Sequence, residues 1–290
     1  IRQMLWGFFK KVVVADNCAL FVNGVFENYQ TLDGSTLFLG AFFFTIQIYG
    51  DFSGYSDIAI GCARLFGIDL MQNFKYPYFS RDIAEFWRRS HISLTTWFRD
   101  YIYIPLGGSR AGKWKSFRNT LVIFLVSGFW HGANWTFVAW GAYHALLFLP
   151  LLLLGQNRRY RDSVAENSFL PSVKELTQMG ATFLLVLLGW ILFRSEDISQ
   201  AAVYLERMFN VSLFSAPQLV GLGFGQLLLK KCFFFTALMF IVEWIGRKQA
   251  HGLMIEDLSL PVRYVIYTVL LIIIYGFDAS NPQGFIYFQF

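Results

Sequence analysis

Asn119 to Gly155 reads NTLVIFLVSGFWHGANWTFVAWGAYHALLFLPLLLLG, and the way this stretch is laid across a membrane decides the architecture. It is apolar enough for a bilayer, yet it carries His131 near its middle, inside Trp130-His131-Gly132-Ala133-Asn134. A titratable side chain in hydrocarbon is costly, so it marks a functional site by default. The stretch is too long for one straight span, which needs about 20 residues. Gly128 and Gly132 flank the motif and are natural places for a bend. Basic residues stand on both sides, with Arg118 before and Arg158, Arg159 and Arg161 after. That favours two short or broken spans returning to the same side, with one strongly tilted span as the alternative.

The composition supports a membrane class throughout. Of 290 residues, 56% are hydrophobic, 19% aromatic and only 15% charged, far from an ordinary soluble domain. The runs are continuous rather than alternating in polarity over segments of about 10 residues, which excludes a transmembrane β-barrel. The reading is an all-α, polytopic transmembrane helical protein with broken or re-entrant helices and a cytoplasmic-side interfacial segment. The net charge of +5 does not indicate nucleic acid, because the basic residues gather in loops between apolar runs, as in cytoplasmic loops facing anionic lipid. Cys18, Cys62 and Cys232 are scattered and lack CxxC spacing, so neither a disulfide framework nor a metal site is expected.

Met4 to Val14 is interrupted by Lys10 and Lys11 and reads as an interfacial helix or the cytoplasmic end of a further span. The chain opens on Ile1 without a secretory leader, and its first spans are expected to be missing. Leu37 to Gly67 is the first strong span, although Asp51 and Asp57 follow its apolar run. Both acids either face protein or a water-filled cavity, or cap helices at an interface, and the glycines around them permit close packing or a break. Further spans are Thr177 to Phe193, Cys232 to Ile245 and Val262 to Phe277, with an amphipathic surface helix over Gln200 to Phe209. Asp278 to Pro282 is a helix stop, and the aromatic tail from Gly284 tucks into the interface. No internal repeat or second soluble domain stands out, so residues 1–290 read as a single membrane domain.

Lys75 to Arg118 is the longest polar insertion and, being basic, is expected on the cytoplasmic side. Ser80 is a plausible N-cap, and Phe86, Trp87, His91, Leu94, Trp97 and Phe98 recur at helical spacing as one aromatic face. Tyr101 to Gly108 should be a loop.

The common hydrolase and zincin motifs are absent, and Gly221-x-Gly-x-Gly225 follows no strand, so histidine carries what chemistry there is. A buried neutral His131 can take a proton from a hydroxyl, as acyl transfer to an alcohol requires, or it can simply be a structural hydrogen-bonder. His144 lies about 20 Å away along an uninterrupted helix and reads as structural. His251 sits in a polar loop with no special role. His91, with Arg88 and Arg89 beside it, offers a hydrogen-bonding group and cations for a phosphate-bearing donor, or else an interfacial helix with snorkelling arginines.

Longer motifs alter that balance. Tyr78 to Asp82, Glu85 to Leu94, Trp97 to Gly108 and Trp130-His131-Gly132 resemble the membrane-bound O-acyltransferase family, in the bacterial branch that modifies alginate and teichoic acid. Asp51 to Asp57 and Phe285 to Phe288 fit the same branch, and the likeness covers nearly the whole chain. Ser90 stands where the pattern commonly has Trp. The resemblance implies that His131 is catalytic, with His91 as the second histidine, and that family members carry further spans upstream. Asp51, Arg88, Arg89, Trp130 and Asn134 are the accompanying candidates for substrate binding.

What the resemblance implies further is a multi-pass protein of the bacterial inner membrane with no bound cofactor. Its donor is an acyl thioester, either acetyl-CoA or a carrier-protein thioester. The acceptor is a polysaccharide outside the cytoplasm, reached directly or through a partner protein. A transporter using intramembrane Asp and His, or a purely structural membrane subunit, are the other classes the residues allow.

Overall fold

The structure, a computed structural model, describes residues 1–109, 112–219 and 225–277. The described residues are helical and contain no strand. In chain order the helices are α1 (Arg2–Phe8), α2 (Asp16–Glu27), α3 (Gly34–Leu65), α4 (Ile83–Arg89), α5 (Ile92–Phe98), α6 (Lys113–His131), α7 (Trp135–Leu153), α8 (Val173–Arg194), α9 (Ile198–Met208), α10 (Gln226–Ile245) and α11 (Leu260–Gly276). π-helical runs join α1 to α2 (Phe9–Ala15) and extend α5 (Arg99–Tyr103). The expected stop at 278–282, the aromatic tail with its 285–288 motif, Arg110 and most of the 221–225 glycine pattern lie outside the described residues. The chain divides into two compact units, residues 1–72 with 204 onward, and residues 73–203.

In the first unit, the basic opening segment runs on as helix beyond Val14. It is one continuous helical run from Arg2 to Glu27 against α3, and Lys10 and Lys11 are buried. Their charges are met by protein rather than by lipid headgroups. Lys10 Nζ lies 2.6 Å from Asp57 and 3.6 Å from Glu243, and Lys11 Nζ lies 2.6 Å from Asp51 and 2.8 Å from Asp16. The Tyr49 hydroxyl donates to Glu243 at 2.7 Å. Asp51 and Asp57 therefore face protein, and α3 passes through them unbroken. Close packing, rather than a break, is what the small residues supply: a Cβ on Gly54 would stand 2.8 Å from the Gly7 carbonyl.

In the second unit, α6 and α7 form an antiparallel hairpin that turns at Gly132 to Asn134, so the bend expected in this stretch is present. Phe117 and Leu121 of α6 pack with Ala145, Leu149 and Leu152 of α7, which brings the start of α6 beside the end of α7. Gly128 is not a bend. It stays helical because the two backbones nearly touch there: a Cβ on Gly128 would lie 2.2 Å from the Phe137 carbonyl, and one on Gly141 2.3 Å from that of Phe124. α8 starts on a capping box, in which the Ser172 and Glu175 side chains each serve the other's backbone N–H. It packs on α7, with the Tyr143 hydroxyl donating to the Leu185 carbonyl at 2.8 Å. By length and composition α7 and α8 can each cross a membrane, whereas α11 is equally apolar but shorter. Trp114 at the start of α6 and Trp135 at the hairpin turn are 81% and 77% exposed.

The aromatic face expected from Phe86 to Phe98 is two short helices rather than one. Asp82, not Ser80, caps α4, accepting from the Glu85 N–H at 2.7 Å, while the Ser80 hydroxyl donates to the Pro77 carbonyl. The break after Arg89 has a tertiary cause. The Lys75 N–H donates to the Arg89 carbonyl at 2.8 Å, the Asn73 carbonyl accepts from Ile92 N–H at 2.9 Å, and the Asn73 side chain accepts from both Ser93 N–H and hydroxyl. The strand of chain at 73–75 thus ends one helix and starts the next. The loop expected from Tyr101 begins only at Ile104, because the π-helical run carries the chain through Tyr103.

Candidate active site

His131 is the last residue of α6, where the hairpin must end a helix and reverse, and it is 9% exposed. Its ring is walled by aromatic faces from three helices. The centroid of Trp140 (α7) lies 5.2 Å away at 89°, that of Phe193 (α8) 5.0 Å away at 78°, and that of the adjoining Trp130 5.0 Å away at 79°. Phe137 completes the wall at 6.3 Å. Edge-to-face contacts of this kind fix a ring's orientation without a charged partner. A neutral imidazole is the form that apolar walls accommodate without burying an uncompensated charge.

His91 approaches from the break between α4 and α5. It is the N-cap of α5 and holds φ 47° and ψ 50°, a left-handed conformation uncommon for a residue with a side chain. Its ring centroid lies 6.1 Å from that of Trp130 and 6.3 Å from that of Phe74. Burial pushes its pKa down to about 4, so the ring is neutral at physiological pH. Trp130 therefore stands between the two histidines, in ring contact with both, and is itself 51% exposed.

His144 is nearer to this cluster than a straight helix allows. Its ring lies 5.2 Å from that of Trp140, one turn earlier on α7, and the hairpin brings that same indole against His131. It is fully buried among Phe86, Trp87, Trp140 and Tyr143, and neither ring nitrogen has a hydrogen-bond partner among the described residues. His251 lies in the loop between α10 and α11, as expected, and is buried there at 9% exposure.

The remaining candidates are distributed unevenly. Asn134 is committed to the fold: its Oδ1 accepts from the Thr136 N–H at 3.1 Å as the N-cap of α7, and its Nδ2 donates to the Glu196 carbonyl at 2.7 Å. Arg88 and Arg89 are engaged by the loop after α7. Arg88 donates to the carbonyls of Asn157 and Tyr160, and Arg89 donates to Glu85 at 2.7 Å and to the Asp162 carbonyl at 2.8 Å. Asp51 belongs to the other compact unit, where its carboxylate pairs with Lys11. The structure thus brings together His91, Trp130 and His131, and adds Trp140 and Phe193, which sequence reading did not single out. The spacing of Trp190 and Phe193 on one face of α8 was the available signal. Among the described residues, no three of His, Cys, Asp or Glu gather in a way that would hold a metal ion.

Residues 19–169 match the membrane-bound O-acyltransferase family, MBOAT. The chain is 40% identical over 232 residues to the probable alginate O-acetylase AlgI of Pseudomonas aeruginosa, covering 78% of this chain and 42% of that protein. It is 38% identical over 206 residues to the peptidoglycan O-acetyltransferase of Helicobacter pylori, covering 71% of this chain and 38% of that protein. Against the teichoic acid D-alanyltransferase of Bacillus subtilis the identity is 28% over 208 residues, 68% of this chain and 50% of that protein. The chain therefore spans half or less of the length of these relatives. With the family match running through more than half of the sequence, and with acetylase relatives at this identity, the chain belongs to the membrane-bound O-acyltransferase family.

Proposed function

We propose that the protein transfers an acyl group, acetyl in the first instance, from a thioester donor to hydroxyls of a polysaccharide outside the cytoplasm, with His131 as general base. The observation that carries this reading is the pairing of His131 with His91 across the half-open Trp130, inside an aromatic enclosure. An imidazole nitrogen of His131 takes the proton of the acceptor hydroxyl as its oxygen attacks the thioester carbonyl. The carbon–sulfur bond then breaks, and the departing thiolate recovers that proton from the imidazolium. His91 orients donor or acceptor from the far side of Trp130. A positioned base of this kind is typically worth about 10² to 10⁴ in rate.

The acceptor class rests on the alginate and peptidoglycan acetylases among the relatives, and a partner protein that passes the group onward is compatible with the same site. D-alanyl transfer is the nearest variation, supported by the teichoic acid relative. The donor is acetyl-CoA or a carrier-protein thioester. The basic residues at both ends of the α6–α7 hairpin support a cytoplasmic position for that end, in a multi-pass protein of the bacterial inner membrane. The family match enters both compact units, which supports reading residues 1–290 as one domain.

A transport function is the second reading, favoured by the buried Lys10, Lys11, Asp51, Asp57 and Glu243 group. The test is labelled acetyl-CoA supplied to vesicles holding wild-type or His131→Ala protein. Label should reach hydroxyl acceptors with the wild type and fail to with His131→Ala at unchanged membrane insertion. Transfer that survives the substitution removes His131 as the base, and flux without covalent label favours transport.

A further inference from the structure

On the α4 side of the second unit lies a cavity of about 400 Å³ that the chemistry above does not use. Its size is within the usual range of small-molecule sites, roughly 300 to 1,000 Å³. Five cations line it, Lys75, Arg88, Arg89, Arg158 and Arg161, against one carboxylate, Glu85. That carboxylate is already spent, because it accepts from Arg81 at 3.0 Å and from Arg89 at 2.7 Å. The cavity therefore keeps a surplus of positive charge.

The cations belong to three pieces of chain that the fold locks together. Arg88 is held by the carbonyls of Asn157 and Tyr160, and Arg89 by the carbonyls of Lys75 and Asp162. Guanidinium groups whose direction is set by backbone carbonyls are pre-organised, which lowers the entropy lost when they close on a ligand. Arg158 and Arg161 are exposed, so they stand open to an incoming group. Arginines fixed in this way match the paired oxygens of a phosphate, which they bind bidentately. A solvated basic face over lipid needs no such bracing. The cavity is also mechanically joined to the histidines. Trp87, next to Arg88, packs on Trp140 and His144, and His91 follows at the end of the same short helix.

We propose that this cavity binds a phosphate or pyrophosphate group, held by Arg88, Arg89, Arg158 and Arg161. The assignment deepens the acyltransfer reading, since the phosphate can be that of the thioester donor, while an anionic lipid headgroup is the other source of the same chemistry.

The test uses the full-length protein in phosphatidylcholine nanodiscs. Binding of coenzyme A is compared with that of pantetheine, which lacks phosphates, and in a second arm phosphatidylglycerol is added to the discs. The double variant Arg158→Gln/Arg161→Gln removes two cavity cations, and Arg159→Gln removes a charge from the same loop at a residue that does not line the cavity but stacks on Tyr160. The expected result is coenzyme A binding weakened roughly tenfold or more by the double variant, as loss of hydrogen bonds to a charged group requires. Arg159→Gln and pantetheine should show no such change. If instead phosphatidylglycerol occupies the cavity and the double variant abolishes that, the lipid is the source. Binding of both probes indifferent to the double variant overturns the proposal. His131→Ala separates the two readings, because it should stop transfer while leaving phosphate binding intact.

Discussion

His91 holds a left-handed backbone at φ 47°, an arrangement worth of order 1 to 3 kcal/mol of strain for a residue with a side chain. The surrounding bonds from Asn73 and Lys75 supply the compensation, and the reward is a ring placed against Trp130. Asn tolerates this conformation and a β-branched residue does not. His91→Asn should therefore insert and fold as the wild type while losing transfer, whereas His91→Val should lower the melting temperature as well, both read in detergent. A His91→Asn enzyme with full transfer would remove His91 from the site. The titration of this residue gives a second check. Its folded pKa is about 4 against an ordinary value of 6.5, so between those values the unfolded chain binds a proton that the folded chain does not. Its contribution to stability is thus complete above pH 6.5 and falls away as pH drops toward 4. Melting temperature should decline over that window in the wild type and decline less in His91→Asn. His131 was legible in the sequence because the Trp130-His131-Gly132 motif is short and specific. Phe193 was less so: its spacing with Trp190 marks one face of α8, but a linear reading does not say that this face meets the hairpin turn.

The α6–α7 hairpin depends on two backbones approaching within reach of a missing methyl group. Gly128→Leu would place its Cβ where the Phe137 carbonyl stands, 2.2 Å away by the wild-type geometry. Overpacking of a tight site typically costs about 1 to 3 kcal/mol, and here the obstacle is backbone rather than a mobile side chain. We expect Gly128→Leu to lower stability by at least that much and to cut transfer by displacing His131 three residues on, measured by thermal denaturation together with acetylation. Gly180→Ala, where a Cβ meets open space inside α8, is the matching control and should leave transfer unchanged and raise stability by up to about 1 kcal/mol. The helices themselves were largely legible, because long apolar runs with caps bound α3, α7, α8 and α11. Their breaks were less so. The interruption at Ser90 and His91 is decided by Asn73, far upstream, and no local periodicity records it. His144 is about 20 Å from His131 only along a straight helix, and the hairpin at Gly132 breaks that line.

Across the whole molecule, the first unit buries opposite charges rather than avoiding them. Lys11 sits between Asp16 and Asp51, and Lys10 between Asp57 and Glu243. Removing one member of a buried pair usually costs about 3 to 5 kcal/mol, while replacing both with apolar residues of similar size is far milder. Lys11→Met should therefore lower stability sharply in detergent, and Lys11→Met/Asp51→Leu should recover part of the loss. No recovery would show that these charges do not act as a pair. Such long-range neutralisation is invisible to a linear reading, which sees two lysines in an apolar run and sends them to the surface. Trp114 and Trp135, exposed at opposite ends of the α6–α7 hairpin, carry a last consequence. The 19 residues of α7, which is long and apolar enough to cross a membrane, measure about 28 Å at 1.5 Å per residue, close to the roughly 30 Å of a bilayer core. Indole rings anchor at headgroup depth, so in the proposed multi-pass arrangement the hairpin acts as a gauge of membrane thickness. Lipids with much longer or shorter chains must tilt or compress it, and the depth of His131 moves with them.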